Sequence, residues 1–314
     1  MITVRIEAKT AVAQDVCALT LVAADGGALP AFTAGAHVDV HLPGGLIRQY
    51  SLSNDPAETH RYVLGVLLEA QSRGGSRAVH EQLAPGQTLQ ISAPKNHFPL
   101  ATQAPRSLLI AGGIGITPVL AMARQLAREG AGFEFHYAAR SAERMAFRAE
   151  IEASAWAAAA QFHVGHARLD VERLMAAQAG DVHVYACGPK RLIDAVTNAA
   201  QRLGWAGERV HHEFFAGAEA PEPGQNRAFE IELRSGRIIP VPADQTAAQA
   251  LIAAGVPLLT SCEQGVCGTC LTRVLHGRPE HRDLYLTPEE QAANDVFAPC
   301  CSRAVSGRLV LDLG

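Results

Sequence analysis

The sequence predicts a multidomain fold in three parts: an all-β barrel, an α/β domain with a doubly wound parallel sheet, and a small α+β domain. Three observations predict it. At 314 residues the chain exceeds what one ordinary hydrophobic core organises. Its apolar pattern changes period near residue 104, from alternation to buried strands separated by helical stretches. Five of its seven cysteines crowd between positions 262 and 301, beyond a short stretch rich in Pro and Glu.

The elements follow in order. Residues 1–103 alternate apolar and polar residues in runs such as Ile2-Thr3-Val4-Arg5-Ile6, His37-Val38-Asp39-Val40-His41-Leu42 and Tyr62-Val63-Leu64-Gly65-Val66, set apart by Gly and Pro turns. Half-buried strands at that spacing make a small barrel. Residues 104–216 open on the buried strand Ser107-Leu108-Leu109-Ile110-Ala111, a Gly-rich turn and an Ala/Leu-rich helix near 117–129. The strand Phe133-Glu134-Phe135-His136-Tyr137 comes next, and a further strand, Val182-His183-Val184-Tyr185-Ala186, precedes Cys187-Gly188-Pro189 and another helix. Strand, helix and strand repeated with short connections give a parallel sheet. Residues 217–226, GAEAPEPGQN, have no apolar periodicity and suit a linker. Residues 227–314 return to strands, with a short helix near 246–254 and a cysteine-bearing loop.

Composition excludes several classes of function. A net charge of −4 with no Lys/Arg-rich stretch sets nucleic acid aside. Residues 1–10 lack the apolar core of a secretory signal, and the longest apolar stretch, 108–123, is interrupted by glycines and Pro118. A soluble, cytoplasmic protein with no membrane partner is expected. In that compartment cysteines serve as thiols or metal ligands rather than disulfides.

Cys262-x4-Cys267-x2-Cys270, with 29 residues between Cys270 and Cys300, is the plant-type [2Fe–2S] spacing. Three thiolates converge from one tight loop, where Gly265 and Gly268 let the backbone turn and aim N–H groups at the sulfurs, and the fourth arrives from a distant segment. A zinc site would pair two similar knuckles, whereas the second half here is a single ligand or the adjacent pair Cys300-Cys301. Extended neighbours point to opposite faces, so one of that pair faces the metal. Spacing selects Cys300 and leaves Cys301 as a small buried hydrophobe. Cys17 reads as core.

Arg48-Gln49-Tyr50-Ser51, Arg73-Gly74-Gly75-Ser76, Gly112-Gly113-Ile114-Gly115-Ile116-Thr117-Pro118, Cys187-Gly188-Pro189 and the cysteine cluster occur in that order along essentially the whole chain. In this the sequence resembles the phthalate dioxygenase reductase family. The resemblance implies a flavin-binding barrel over 1–103, an NAD-binding α/β domain over 104–216 and a β-grasp ferredoxin domain over 227–314. On the barrel, Tyr50 is expected to pack on the flavin ring, Ser51 to face its reactive edge with Leu52 beside it, and Arg48 to pair with the phosphate. Gly74, Gly75 and Ser76 are the second phosphate contact, with Ser76 capping the helix that follows. Val66-Leu67-Leu68 departs from the family, whose members often carry basic residues there.

Gly112, Gly113, Gly115, Thr117 and Pro118 follow a buried strand and open a helix, where a pyrophosphate meets helical N–H groups. The resemblance implies that Cys187, Gly188 and Pro189 lie near the nicotinamide, with Cys187 positioning rather than attacking. His211-His212-Glu213-Phe214-Phe215 closes the domain, and Glu213 and Phe215 are carried over to the flavin edge. The resemblance further implies FMN as flavin, NADH as donor and a separate terminal oxygenase as acceptor; Arg140, after the strand through Tyr137, is the residue placed to meet a 2′-phosphate. Other outcomes are electron donation to a cytochrome P450 or another acceptor, and a non-catalytic redox-sensing module.

Overall fold

The computed structural model describes residues 1–101, 104–165, 169–215 and 226–314. The chain divides into two compact units, Met1–Phe215 and Ala216–Gly314. Of the expected linker, only Asn226 falls within the described residues.

In the first unit the alternating segments fold into β1 (Ile2–Ala13), β2 (Val16–Ala23), β3 (His37–His41), β4 (Ile47–Ser51), β5 (Tyr62–Leu67) and, after helix α1 (Gly75–Gln82), β6 (Thr88–Ile91). They form one six-stranded antiparallel sheet in the order β4-β3-β6-β1-β2-β5. An antiparallel bridge between Leu52 and Leu64 joins the two outer strands and closes the barrel. Alternation builds its core: Val4 and Ile6, Leu19 and Leu21, Val38 and Val40, and Leu64 and Val66 all point inward. Each such side chain, fully enclosed, contributes about 1.5–3 kcal/mol.

The same unit continues through β7 (Arg106–Gly112), α2 (Ile116–Glu129), β8 (Gly132–Ala139), α3 (Arg148–Glu152), β9 (Ala160–Val164), α4 (Val171–Ala176), β10 (Val182–Gly188), α5 (Lys190–Leu203) and β11 (Val210–Phe214). Its five strands are parallel in the order β11-β10-β7-β8-β9. Strand order reverses between β7 and β10, so the ligand crevice of this sheet lies beyond their carboxyl ends. β7 is buried on both faces: Leu109 and Ala111 join the core beneath α2, and Leu108 and Ile110 join the one beneath α4 and α5.

Barrel and parallel sheet share apolar packing. Val16, Ala18 and Phe98 belong to the same core as α2 and Phe147. Gly65 of β5 leaves the space that the Thr117 methyl and the Phe147 ring occupy, which a Cβ there would meet at 2.7 and 3.1 Å. Arg124 of α2 donates to the Ser53 carbonyl at 2.7 Å.

The second unit holds β12 (Phe229–Leu233), β13 (Ile238–Val241), α6 (Ala247–Ala253), β14 (Thr272–His276), β15 (Pro279–Glu280), α7 (Pro288–Ala293), β16 (Val296–Phe297), β17 (Arg303–Ala304) and β18 (Arg308–Leu311). The mixed order β13-β12-β18-β14-β16, with β12 and β18 parallel, is the β-grasp arrangement. Thr246 and Gln249 start α6 with a reciprocal capping box, and Ala247, Ala250 and Leu251 bury against Ile231, Val241 and Leu309. The cysteine loop runs from the end of α6 to β14. Among the described residues no helix is long and apolar enough to cross a membrane.

Candidate functional site

Cys262, Cys267, Cys270 and Cys300 are buried. The Cys262 thiol contacts those of Cys267 and Cys300, and Cys270 contacts Cys300. Crowding has an electrostatic consequence: Cys262 gives up its proton far more readily than a free thiol, while Cys267 and Cys300 are pushed up because their neighbours compete for it. A cation that accepts four thiolates resolves that competition. The expected backbone donors are present, with Gln264 N–H reaching the Cys262 sulfur at 3.4 Å. Gly265 (φ +73°) and Gly268 (φ +70°) adopt the left-handed conformation the tight loop needs. A side chain on Gly268 would run into the Tyr285 ring at 2.5 Å.

The expectation for Cys301 is corrected by the backbone. Residues 299–301 form a turn rather than a strand, so the opposite-face rule does not apply. Cys301 is half-buried, and its sulfur contacts the Cys300 sulfur while lying against Gly265.

At the switch point the glycines are forced by close approach. A Cβ on Gly188 would meet the Gly112 Cα at 2.9 Å, and one on Gly112 would meet Leu192 Cδ2 at 2.7 Å and Pro189 Cδ at 2.9 Å. A Cβ on Gly115 would collide with the Cys187 carbonyl. Gly112, Gly115, Cys187, Gly188 and Pro189 therefore meet at one sheet edge, and Gly113 (φ +56°) faces open space beside them. Such bare backbone at the head of a helix fits a dinucleotide pyrophosphate. Thr117 stands elsewhere: its hydroxyl donates to the Ile114 carbonyl at 3.1 Å and its methyl packs on the barrel. Pro118 is buried in the first turn of α2. Arg140 is exposed just past β8.

Cys187 and Glu213 face each other across β10 and β11. Burial, and then the Glu213 carboxylate, push the Cys187 thiol well above its ordinary range, an environment that disfavours the thiolate. Glu213 Oε2 is sealed from solvent and has no hydrogen-bond partner, and burial pushes its carboxyl up to about 8. Phe215 packs against the apolar core below α2.

On the barrel, Arg48 and the loop 73–75 come together. Arg48 donates to the Arg73 carbonyl at 3.1 Å, and a Cβ on Gly75 would meet the Arg48 side chain at 2.5 Å. A guanidinium thus lies at the start of α1, beside the first N–H groups of the helix, which is an arrangement suited to a phosphate. Gly74 (φ +90°), not Ser76, holds the capping position. The Ser76 hydroxyl lies inside the first turn, accepting from Glu69 N–H at 3.1 Å and donating to Ser72 at 2.9 Å. Tyr50 packs against the barrel core, and burial raises its hydroxyl pKa. Ser51 and Leu52 are buried at the end of β4.

Sequence reasoning missed Tyr185, whose hydroxyl accepts from Ala101 N–H at 2.8 Å and whose ring stacks on His211. It also missed Asp283 and Ser302, buried behind the cysteine loop. Neither carries a motif, and Asp283 closes the polar run Glu280-His281-Arg282, so nothing local marks either as buried.

A parallel sheet with a nucleotide edge and a separate four-thiol cradle define an NAD-linked iron–sulfur oxidoreductase. Comparisons with known proteins agree. Residues 109–198 match the oxidoreductase NAD-binding domain, and residues 231–305 match the 2Fe-2S iron-sulfur cluster binding domain. Vanillate O-demethylase oxidoreductase of Pseudomonas sp. (strain HR199 / DSM 7063) is 51% identical, with 100% of each chain covered. The structure of a phthalate dioxygenase reductase, a modular structure for electron transfer from pyridine nucleotides to [2Fe–2S], superposes with a TM-score of 0.82 at 36% identity, covering 99% of this chain and 97% of that one. An intact type IV self-sufficient cytochrome P450 monooxygenase is 40% identical with a TM-score of 0.81, covering 99% of this chain and 41% of that one. The chain belongs to the phthalate dioxygenase reductase family, the oxygenase reductase components that carry nucleotide-binding and [2Fe–2S] domains on one chain.

Proposed function

We propose that this chain draws electrons from NADH onto FMN held by the barrel and delivers them through a [2Fe–2S] cluster to a separate terminal oxygenase in the cytoplasm. The observation that carries the proposal is the conjunction of a bare glycine edge for a dinucleotide, a phosphate corner at Arg48 and Gly75, and a four-thiol cradle in one chain. The domains assigned to these tasks are 1–103, 104–216 and 227–314, with 217–226 as tether.

FMN, when bound, supplies the conversion of a two-electron hydride into the single electrons a [2Fe–2S] cluster takes. The protein's part is placement and tuning. Arg48 and the first N–H groups of α1 hold the phosphate, Tyr50 offers an aromatic face, and Ser51 stands at the end of the same strand toward the reactive edge. Gly112, Gly115 and Gly188 admit the dinucleotide to the sheet edge, with Cys187 shaping the nicotinamide end. Glu213, protonated at neutral pH, holds a proton beside it. Four thiolates from Cys262, Cys267, Cys270 and Cys300 bind the cluster, and burial with N–H donors sets its potential.

An anaerobic NADH titration followed by visible absorbance tests the relay. Flavin and cluster colour should both bleach; flavin bleaching alone would break the proposed internal chain. An aromatic O-demethylase is the first oxygenase to reconstitute, given the vanillate-linked relative. The P450 likeness supports a second acceptor, and side-by-side reconstitution separates the two. Turnover with NADPH tests Arg140, and a strong NADPH preference would overturn the NADH assignment.

A further inference from the structure

Besides the ligand cysteines, a buried carboxyl touches both segments that carry them. The Asp283 side chain has 0% exposure. Its Oδ2 accepts from Leu286 N–H at 2.9 Å, which fixes the carboxyl to its own loop. Its Oδ1 accepts from the Ser302 hydroxyl at 3.3 Å, two residues past Cys300, and His281 Nδ1 lies 3.6 Å from the same oxygen. The Ser302 oxygen accepts in turn from Arg282 N–H at 3.1 Å. The backbone of the same stretch rests on the cysteine loop: Leu284 N–H donates to the Gly265 carbonyl at 2.9 Å, and a Cβ on Gly265 would meet the Asp283 Cα at 2.9 Å. The Cys301 sulfur fills the rest of the space a side chain on Gly265 would need.

Three cluster ligands share one loop and are near one another by sequence. The fourth is not, and a metal site tolerates only about 0.2 Å of error in ligand distance. The position of the turn that presents Cys300 therefore needs an anchor other than the cluster. Ser302 is wholly buried, so its hydroxyl has no water to turn to if its acceptor is removed.

We propose that Asp283 is a positioning residue for the [2Fe–2S] cluster: by holding Ser302 while its own backbone rests on Gly265, it sets the turn bearing Cys300 against the loop bearing Cys262 and Cys267. The proposal rests on the ligand assignment above, and Cys300→Ser tests that assignment separately through loss of iron.

The experiment follows cluster loss by visible absorbance after adding an iron chelator to the purified holoprotein, for wild type, Asp283→Ala, Ser302→Ala, the double variant and Asp283→Asn. Asp283→Ala and Ser302→Ala should each speed loss by roughly 10-fold, the range in which outer partners of metal ligands act. Because both substitutions remove the shared Asp283–Ser302 hydrogen bond, the double variant should lose its cluster more slowly than the product of the two single effects. Asp283→Asn, which keeps one acceptor oxygen, should fall between. If Asp283→Ala fails to fold, Ser302→Ala and Asp283→Asn carry the test. The electron paramagnetic resonance spectrum of the reduced Ser302→Ala protein should also shift, which a merely structural contribution would not produce. Additive effects, or a Ser302→Ala protein with the wild-type rate and spectrum, would overturn the proposal.

Discussion

Cys300 and Cys301 sit on a turn in which the Cys301 and Ser302 N–H groups both donate to the Ala298 carbonyl, at 3.2 and 2.9 Å. That geometry brings both sulfurs to one side, so choosing between them depends on contact with the other ligands. Cys300 reaches Cys262 and Cys270, whereas Cys301 lies against Gly265. Cys300→Ser should therefore lose its iron, measured by colorimetric assay, and Cys301→Ser should retain it. Glu213 gives a pH-dependent prediction. Its folded pKa of about 8 is raised from 4.5, so the folded state keeps a proton the unfolded chain has released. The contribution is fully present below about pH 4.5 and is lost as pH rises through about 8. Glu213→Gln should flatten the fall in unfolding midpoint across that window, read by calorimetry at several pH values. An unchanged slope would show that the carboxyl is ordinary.

Among the elements, α1 is the one whose own sequence explains it least. Eight residues beginning with Gly75 and carrying no side-chain cap do not form a stable helix alone. Its last turn is held by Lys9 of β1, whose ammonium donates to the carbonyls of Val79, His80 and Leu83 at 2.9, 2.6 and 2.9 Å. A cation at that end complements the helix dipole while the opposite end is left for a phosphate. Lys9→Met should cost about 1–3 kcal/mol by leaving these carbonyls unpaired, and should weaken FMN retention on desalting, measured by flavin fluorescence. In the sequence Lys9 was only the polar member of an alternating strand, and Ser76 looked the better cap. By contrast α6 was legible to within a residue, because Thr246 and Gln249 encode its start locally.

At the scale of the whole molecule, tethering changes what charge must do. Residues 226–314 carry eight Arg, no Lys and ten Asp plus Glu, a near-balance unlike the strong field that steers free carriers. A linked domain meets its flavin through effective concentration instead. Electron delivery to the partner should accordingly change little between low and high salt in stopped-flow measurements, and a steep fall would count against this. The sequence by itself determined the three kinds of architecture, the run of glycines between β7 and α2 and the cluster spacing, because period, glycine placement and cysteine intervals are local properties that survive without coordinates. Only the tertiary structure decided that Thr117 packs on Gly65, that Gly74 rather than Ser76 caps α1, that Cys300 and Cys301 share a turn, and that Lys9 and Asp283 anchor segments far from them in sequence. Those outcomes rest on which distant groups compete for one buried hydrogen bond or one methyl-sized space, and no local pattern records the winner.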